Sequence, residues 1–295
     1  MSAPATKFWI GPSGWSYADW SGVFYPASPP RGFKPLAFIA RYFNAVEVNS
    51  TFYRIPAASV TAAWPKLTPP DFRFALKLTQ SFTHQRSAFP EASEADAFHA
   101  CAAPLRDAGK LGPLLIQFPW SFRYSPAAAD WLARLAETFA DYDRFIEVRH
   151  TSWAQPEALD AIRRSGGYCN IDQPLLNHCL GPTPHVFGER AYVRLHGRNA
   201  ATWFAEGLPA FERYNYLYSE AEIREWVARL NSMADRAREV YVFTNNHYRG
   251  QGPANALDIR AMLEGRPVDV PDELLRAYPG LKSRANPARQ PGLFE

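Results

Sequence analysis

A single-domain α/β barrel of the (β/α)8 TIM type is the architecture this chain predicts, and three observations predict it. Eight short runs rich in Val, Ile, Leu and Phe alternate with segments of helical periodicity, a pattern that builds a parallel sheet covered by helices. The length of 295 residues suits one barrel with one large core. No Gly-x-Gly-x-x-Gly follows the first run, which disfavours the rival open, doubly wound sheet. The barrel should occupy about residues 7–265, with a C-terminal extension and tail over about 266–295.

The first strand is expected at Phe8-Trp9-Ile10, broken by Gly11-Pro12-Ser13-Gly14 and followed by an aromatic loop, Trp15 to Pro30, that reads as a packed lid. Residues 35–43, PLAFIARYF, form a helix with Pro35 in its first turn and lead into a second strand at 45–49. A short helix near 57–67 ends at Pro69-Pro70, and 72–78 is the third strand. The helix at about 91–108 opens with acidic residues and closes at Gly109; 114–118 is strand four. Ser125-Pro126 caps the next helix, which precedes strand five at 144–149. A helix over 156–165 stops at Gly166-Gly167, before strand six at 168–172. Strand seven covers 191–196, and a long loop to Tyr218 then reaches a capping box at Ser219-Glu220-Ala221-Glu222. Strand eight, 240–244, leads through Gly250 and Gly252 to a last helix at 254–264.

Composition narrows the class. Hydrophobic residues at 47% and charged residues at 21% are globular values, and no apolar run nears the roughly 18 residues a membrane helix needs. The N-terminus lacks the pattern of an export signal, so a cytoplasmic location without membrane attachment is expected. Three scattered cysteines, Cys101, Cys169 and Cys179, fit neither a disulfide framework nor a zinc site; they read as reduced core thiols. A net charge of +3 is far from the basic stripe of a dedicated nucleic-acid binder. Oligomeric state does not follow from the sequence.

The strand ends carry the distinctive wording. VEVNSTFYRIP, FALKLTQSFTH, LLIQFPWSF, IEVRHTSW, YVRLHGR and FTNNHYRGQGPANA, in that order, resemble the YecE-like family, domain of unknown function 72. The similarity runs from Ile10 to about Leu263. One departure is Val148-Arg149-His150-Thr151, where relatives tend to have Phe before the Arg and Pro after the His. The resemblance implies a (β/α)8 barrel and implies no established activity.

In such a barrel, ligand groups gather where strands end, at the C-terminal face. Side chains alternate along a strand, so Glu47 and Asn49 share a face, as do Arg73, Ala75 and Lys77, and Phe145, Glu147 and Arg149. If those faces point inward, Glu47, Lys77, Gln117, Glu147, Arg149, Asp172, Arg194, His196 and Asn245 converge. Buried charges of both signs must be paired, hydrated or waiting for a ligand. Glu47 and Glu147 are the acid/base candidates, with Lys77 as a third catalytic group. Lys77, Arg149 and Arg194 suit an anion, and Tyr53, His84 and His150 are secondary. A phosphate or other anion could also sit on Asn245, Asn246, Arg249, Gly250 and Gly252, where a helix N-terminus follows strand eight, with Arg198 adding charge.

Three readings follow. The first is an enzyme using carboxylate acid/base chemistry on a small anionic metabolite, phosphorylated or polyhydroxylated. The second is a non-catalytic binder of an anionic ligand or nucleic-acid end, with Trp15, Trp20, Trp120 and Trp153 for stacking. The third is a metal-dependent barrel hydrolase or isomerase; no HExxH, DxDxD or CxxC supports it, and no cofactor is evident. Internal ion pairs that merely set the barrel's register are the alternative to all three.

Overall fold

The computed structural model describes residues 6–287. Eight parallel strands, β1 (Lys7–Pro12), β2 (Ala45–Val48), β3 (Arg73–Lys77), β4 (Leu111–Gln117), β5 (Arg144–Glu147), β6 (Gly167–Asp172), β7 (Arg190–Leu195) and β8 (Glu239–Thr244), follow one another around a sheet ordered β1-β8-β7-β6-β5-β4-β3-β2. Between them come α1 (Pro35–Ile39), α2 (Ser50–Tyr53), α3 (Ala58–Thr61), α4 (Gln80–Thr83), α5 (Ala92–Asp107), α6 (Pro126–Thr138), α7 (Pro156–Ser165) and α8 (Glu220–Ala234), and α9 (Gln251–Glu264) follows β8. After the barrel comes α10 (Asp272–Ala277). This is the (β/α)8 barrel the alternation predicts.

The seam between β1 and β2 closes through side chains. Asn44 accepts from the Ile10 amide and donates to the Phe8 carbonyl, both at 2.8 Å, and the Gly14 amide reaches the Glu47 carbonyl at 2.8 Å. Gly11 makes the seam possible, because a Cβ there would lie 1.8 Å from the Ala45 carbonyl oxygen. The glycine expected to break the first strand is therefore part of it, and β1 runs on to Pro12.

Other boundaries move for local reasons. The 35–43 segment is helical only to Ile39, and 57–67 splits into α3 and a 3-10 turn at Pro65–Leu67. The last helix starts at Gln251, with Pro253 still in the first turn, where its missing N–H leaves no intrahelical bond unmade. Ser125 caps α6, and Ser219 with Glu222 forms a capping box on α8, as the spacing predicts. The C-terminal extension packs on the barrel through Val268, Leu274 and Leu281. Among the described residues no helix is long and apolar enough to cross a membrane, and the three cysteines are buried and free.

Candidate functional site

Strand register decides which side chains enter the barrel. Glu47 aligns with Ala75, Gln117 with Glu147, and Arg194 with both Ile171 and Phe243. Near the C-terminal end the interior is an ion network. Arg194, 1% exposed, lies between two fully buried carboxylates, donating from Nη2 to Glu47 Oε1 at 2.7 Å and from Nη1 to Glu147 Oε2 at 2.6 Å. Ser13 Oγ and Tyr192 OH also donate to Glu47, each at 2.7 Å. Arg149 donates from Nε and Nη2 to Glu147 Oε1 at 2.9 and 2.8 Å. Every oxygen of both carboxylates is thus engaged. Burial alone would raise the Glu147 carboxyl; Arg194, His196 and Arg149 outweigh it and hold it well below the usual carboxylate range.

His196 is fully buried beside this network. Asn245 Nδ2 donates to its Nδ1 at 3.0 Å, so the ring proton belongs on Nε2, 3.1 Å from Glu147 Oε1. Burial pushes the ring's pKa down to about 3 despite Glu147, and the imidazole is neutral. Two carboxylates and two guanidiniums then cancel. Lys77 is the surplus.

Lys77 ends β3 inside the mouth, partly exposed, with its ammonium 3.8 Å from the centroid of the Phe52 ring. Among the described residues its Nζ has neither a hydrogen-bond nor an ion-pair partner. Burial, followed by Arg194, lowers its pKa to about 7, although Glu147 and Glu47 pull the other way. Lys110 offers a contrast: its Nζ meets Pro65 O, Thr68 O and Thr68 Oγ1 at 2.7–2.9 Å. His84 stands next to Phe52, ring centroids 4.8 Å apart; burial and Lys77 lower its pKa to about 4. Asn49 donates weakly to Asn245 at 3.4 Å, and among the described residues its buried Oδ1 has no partner.

The loop after β7 covers one side of the mouth. Trp203 is 4% exposed, 5.6 Å from the Arg149 guanidinium and 6.3 Å from the His196 ring. Tyr214 lies 5.5 Å from His247, whose ring stacks on Tyr17 at 4.4 Å. Tyr53 stands open at 73% exposure. Neither Trp203, Tyr214, Tyr17, Phe52 nor His247 was expected at the site; the aromatic richness of the first and seventh loops was the available signal.

The structure brings Glu47, Asn49, Lys77, Gln117, Glu147, Arg149, Arg194, His196 and Asn245 to one end of the barrel, with Tyr53 at the rim. Gln117 donates to the Phe118 carbonyl at 2.6 Å. Other expected members lie elsewhere. Asp172 points outward, where Arg198 Nη2 at 2.8 Å and Trp226 Nε1 donate to it; Arg198 also pairs with Glu222 at 3.0 Å. Alternation turns Asn246 away from Asn245, and its Nδ2 donates to Tyr216 O and Asn255 Oδ1. Arg249 is tied by its amide to Asp19 and by its carbonyl to Tyr278, and Gly250 packs beside Val23, Leu274 and Phe24. Gly252 lies against the Thr244 carbonyl. That helix start is a packing contact on the flank. His150 caps a 3-10 turn through the Ser152 amide, and Trp20 and Trp153 are fully buried, out of reach of a stacking base. Among the described residues no three His, Cys, Asp or Glu side chains are placed to share a metal ion.

A (β/α)8 barrel whose C-terminal mouth presents a lysine without a partner among the described residues, above a neutral ion network, defines the class of protein. Residues 9–277 match the family described as "Protein of unknown function DUF72". The chain belongs to that family. It is 28% identical over 272 residues to the UPF0759 protein YunF of Bacillus subtilis (strain 168), covering 87% of this chain and 94% of the relative. It is 31% identical over 172 residues to YecE of Escherichia coli (strain K12), covering 57% of this chain and 58% of that one. A DUF72 family protein from Thermotoga maritima MSB8 superposes with a TM-score of 0.78 at 35% identity, over 88% of this chain and 99% of that one. One from Enterococcus faecalis V583 gives 0.76 at 26%, over 87% and 95%.

Proposed function

We propose that the barrel mouth is the active site of an enzyme acting on a small anionic metabolite, with Lys77 as the group that moves a proton. The observation that carries this reading is the solitary Lys77 ammonium above a network whose charges already cancel. A cation with no carboxylate either binds an anion or sheds its proton, and a lysine titrating at about 7 can do both near neutral pH. The substrate's anionic group lies between Lys77 and Arg149, whose Nη1 has no partner among the described residues. Arg86 lacks a carboxylate within ion-pair reach among them and adds positive potential near His84. Asn49 Oδ1, buried and unpartnered, accepts from a substrate hydroxyl, which favours a hydroxylated ligand. In this reading Glu47 and Glu147 hold the arginines and set the field, because each carboxylate oxygen is occupied.

The test is thermal stability of the wild type and Lys77→Met with phosphate, sulfate, sugar phosphates and small carboxylates. A ligand at one hundred times its dissociation constant adds about 2.7 kcal/mol, a shift of several degrees. A shift seen in the wild type and lost in the variant supports the reading. Equal shifts in both, or none, would remove Lys77 from any ligand site.

A further inference from the structure

Resting on that reading, we infer that Lys77 is an amine nucleophile that forms an imine with a small carbonyl compound bearing an anionic group, of the 2-oxo acid class. An amine attacks only as the free base, so a nucleophilic lysine needs an unpaired nitrogen, a seat against apolar surface and cationic neighbours. Lys77 has all three. Its Nζ has no partner among the described residues, Phe52 forms its apolar floor at 3.8 Å, and Arg194 and Arg149 are the nearby cations. Lys110 is held by three acceptors, while Lys34, Lys66 and Lys282 lie outside the barrel.

The step balances without an oxidant or reductant. The Nζ lone pair adds to the carbonyl carbon, and the C=O π pair becomes the oxygen lone pair that takes up the proton nitrogen loses. The carbinolamine hydroxyl then leaves as water after a second protonation, and the nitrogen lone pair forms C=N. His84, beside Phe52 and close enough for Lys77 to depress its pKa, is the neighbour able to relay that proton. Arg149 Nη1 receives the carboxylate, and the iminium withdraws electrons from the adjacent carbon, which eases loss of a proton or carbon group from it.

The experiment incubates the full chain with pyruvate and sodium cyanoborohydride and maps the reduced adduct by peptide mass spectrometry. We expect labelling of Lys77 at least about tenfold faster than of Lys34, Lys66 or Lys282 at neutral pH, since far more of Lys77 is free amine there. The rate should rise from pH 6 to 8. The groups facing Lys77 are Glu147 at the end of β5 and Arg149 just after it, Glu47 from β2, Arg194 from β7 and His84 after α4. Lys77→Arg should show no adduct at that peptide. Uniform labelling of surface lysines, or none at Lys77, overturns the inference. If pyruvate and phosphate nevertheless stabilise the wild type and not Lys77→Met, the anion site stands and the covalent step falls; without stabilisation both fall.

Discussion

Replacing Lys77 by Met keeps the length of the side chain and removes its charge, and the structure predicts that the fold gains from the loss. The ammonium titrates at about 7 where an unfolded lysine titrates at 10.5. At ~1.4 kcal/mol for each tenfold change in proton affinity, holding the charge inside costs the fold up to about 5 kcal/mol, which water at the open mouth reduces to about 2 kcal/mol. Methionine retains a favourable contact with the Phe52 ring. The sign follows from proton counting. Below pH 7 both states of the wild type are protonated and the full cost is present. Between pH 7 and 10.5 the unfolded chain holds the extra proton, so wild-type stability rises with pH relative to the variant. Lys77→Met should therefore melt roughly 4 °C higher at pH 6, and the gap should close toward pH 10.5. Melting curves of both proteins across that range decide it. A variant less stable than the wild type at pH 6 would mean that Lys77 is a structural partner, and the argument from its solitary charge would fail.

The ion network below predicts the opposite behaviour. Glu147→Gln leaves Arg194 and Arg149 facing a neutral amide and should cost about 3–5 kcal/mol at pH 7; since the Glu147 carboxyl titrates below its ordinary 4.5, the wild type's advantage should shrink as pH falls below that value, as chemical denaturation would show. His196 should remain neutral with its proton on Nε2 from pH 5 to 8, and 15N shifts that reveal an imidazolium in that range would contradict the network. Gly11→Ala would drive a Cβ into the Ala45 carbonyl and should destabilise by more than about 4 kcal/mol, whereas Gly280→Ala, with nothing within 4 Å among the described residues, should melt within a degree or two of the wild type.

Strand ends and their parity are legible in the sequence because the side-chain period of a strand is fixed at two. Glu47 with Asn49 and Glu147 with Arg149 fall on inward faces for that reason, and Lys77 joins them. The same parity, applied one residue over, would have turned Asp172 and Asn246 outward, since Ile171 and Asn245 are the inward members of their pairs. Pairing across the barrel is not local information. That Arg194 would lie between Glu47 and Glu147, saturating both, depends on three strands separated by some 150 positions in the chain. Loop docking is equally non-local: Trp203 and Tyr214 reach His196 because the loop after β7 folds back over the barrel, and their spacing carries no periodic signal. The Gly250–Pro253 turn misleads because a helix start that binds phosphate and one that packs on Phe24 and Leu274 use the same residues.

The choice of lysine at position 77 bears on what the mouth does. An arginine there would be charged at every physiological pH and would serve any site that only has to attract an anion. The neighbouring cations are indeed arginines, and Arg149 and Arg194 are fixed by carboxylates. Beside them stands a group whose proton is held loosely, first because the seat is buried and then because Arg194 repels it. A fixed positive field around one labile ammonium is the arrangement that lets a bound anion persist while the proton, or the amine itself, takes part in chemistry. Lys77→Arg separates the two roles: anion-dependent stabilisation should survive in that variant, and turnover or imine formation should not.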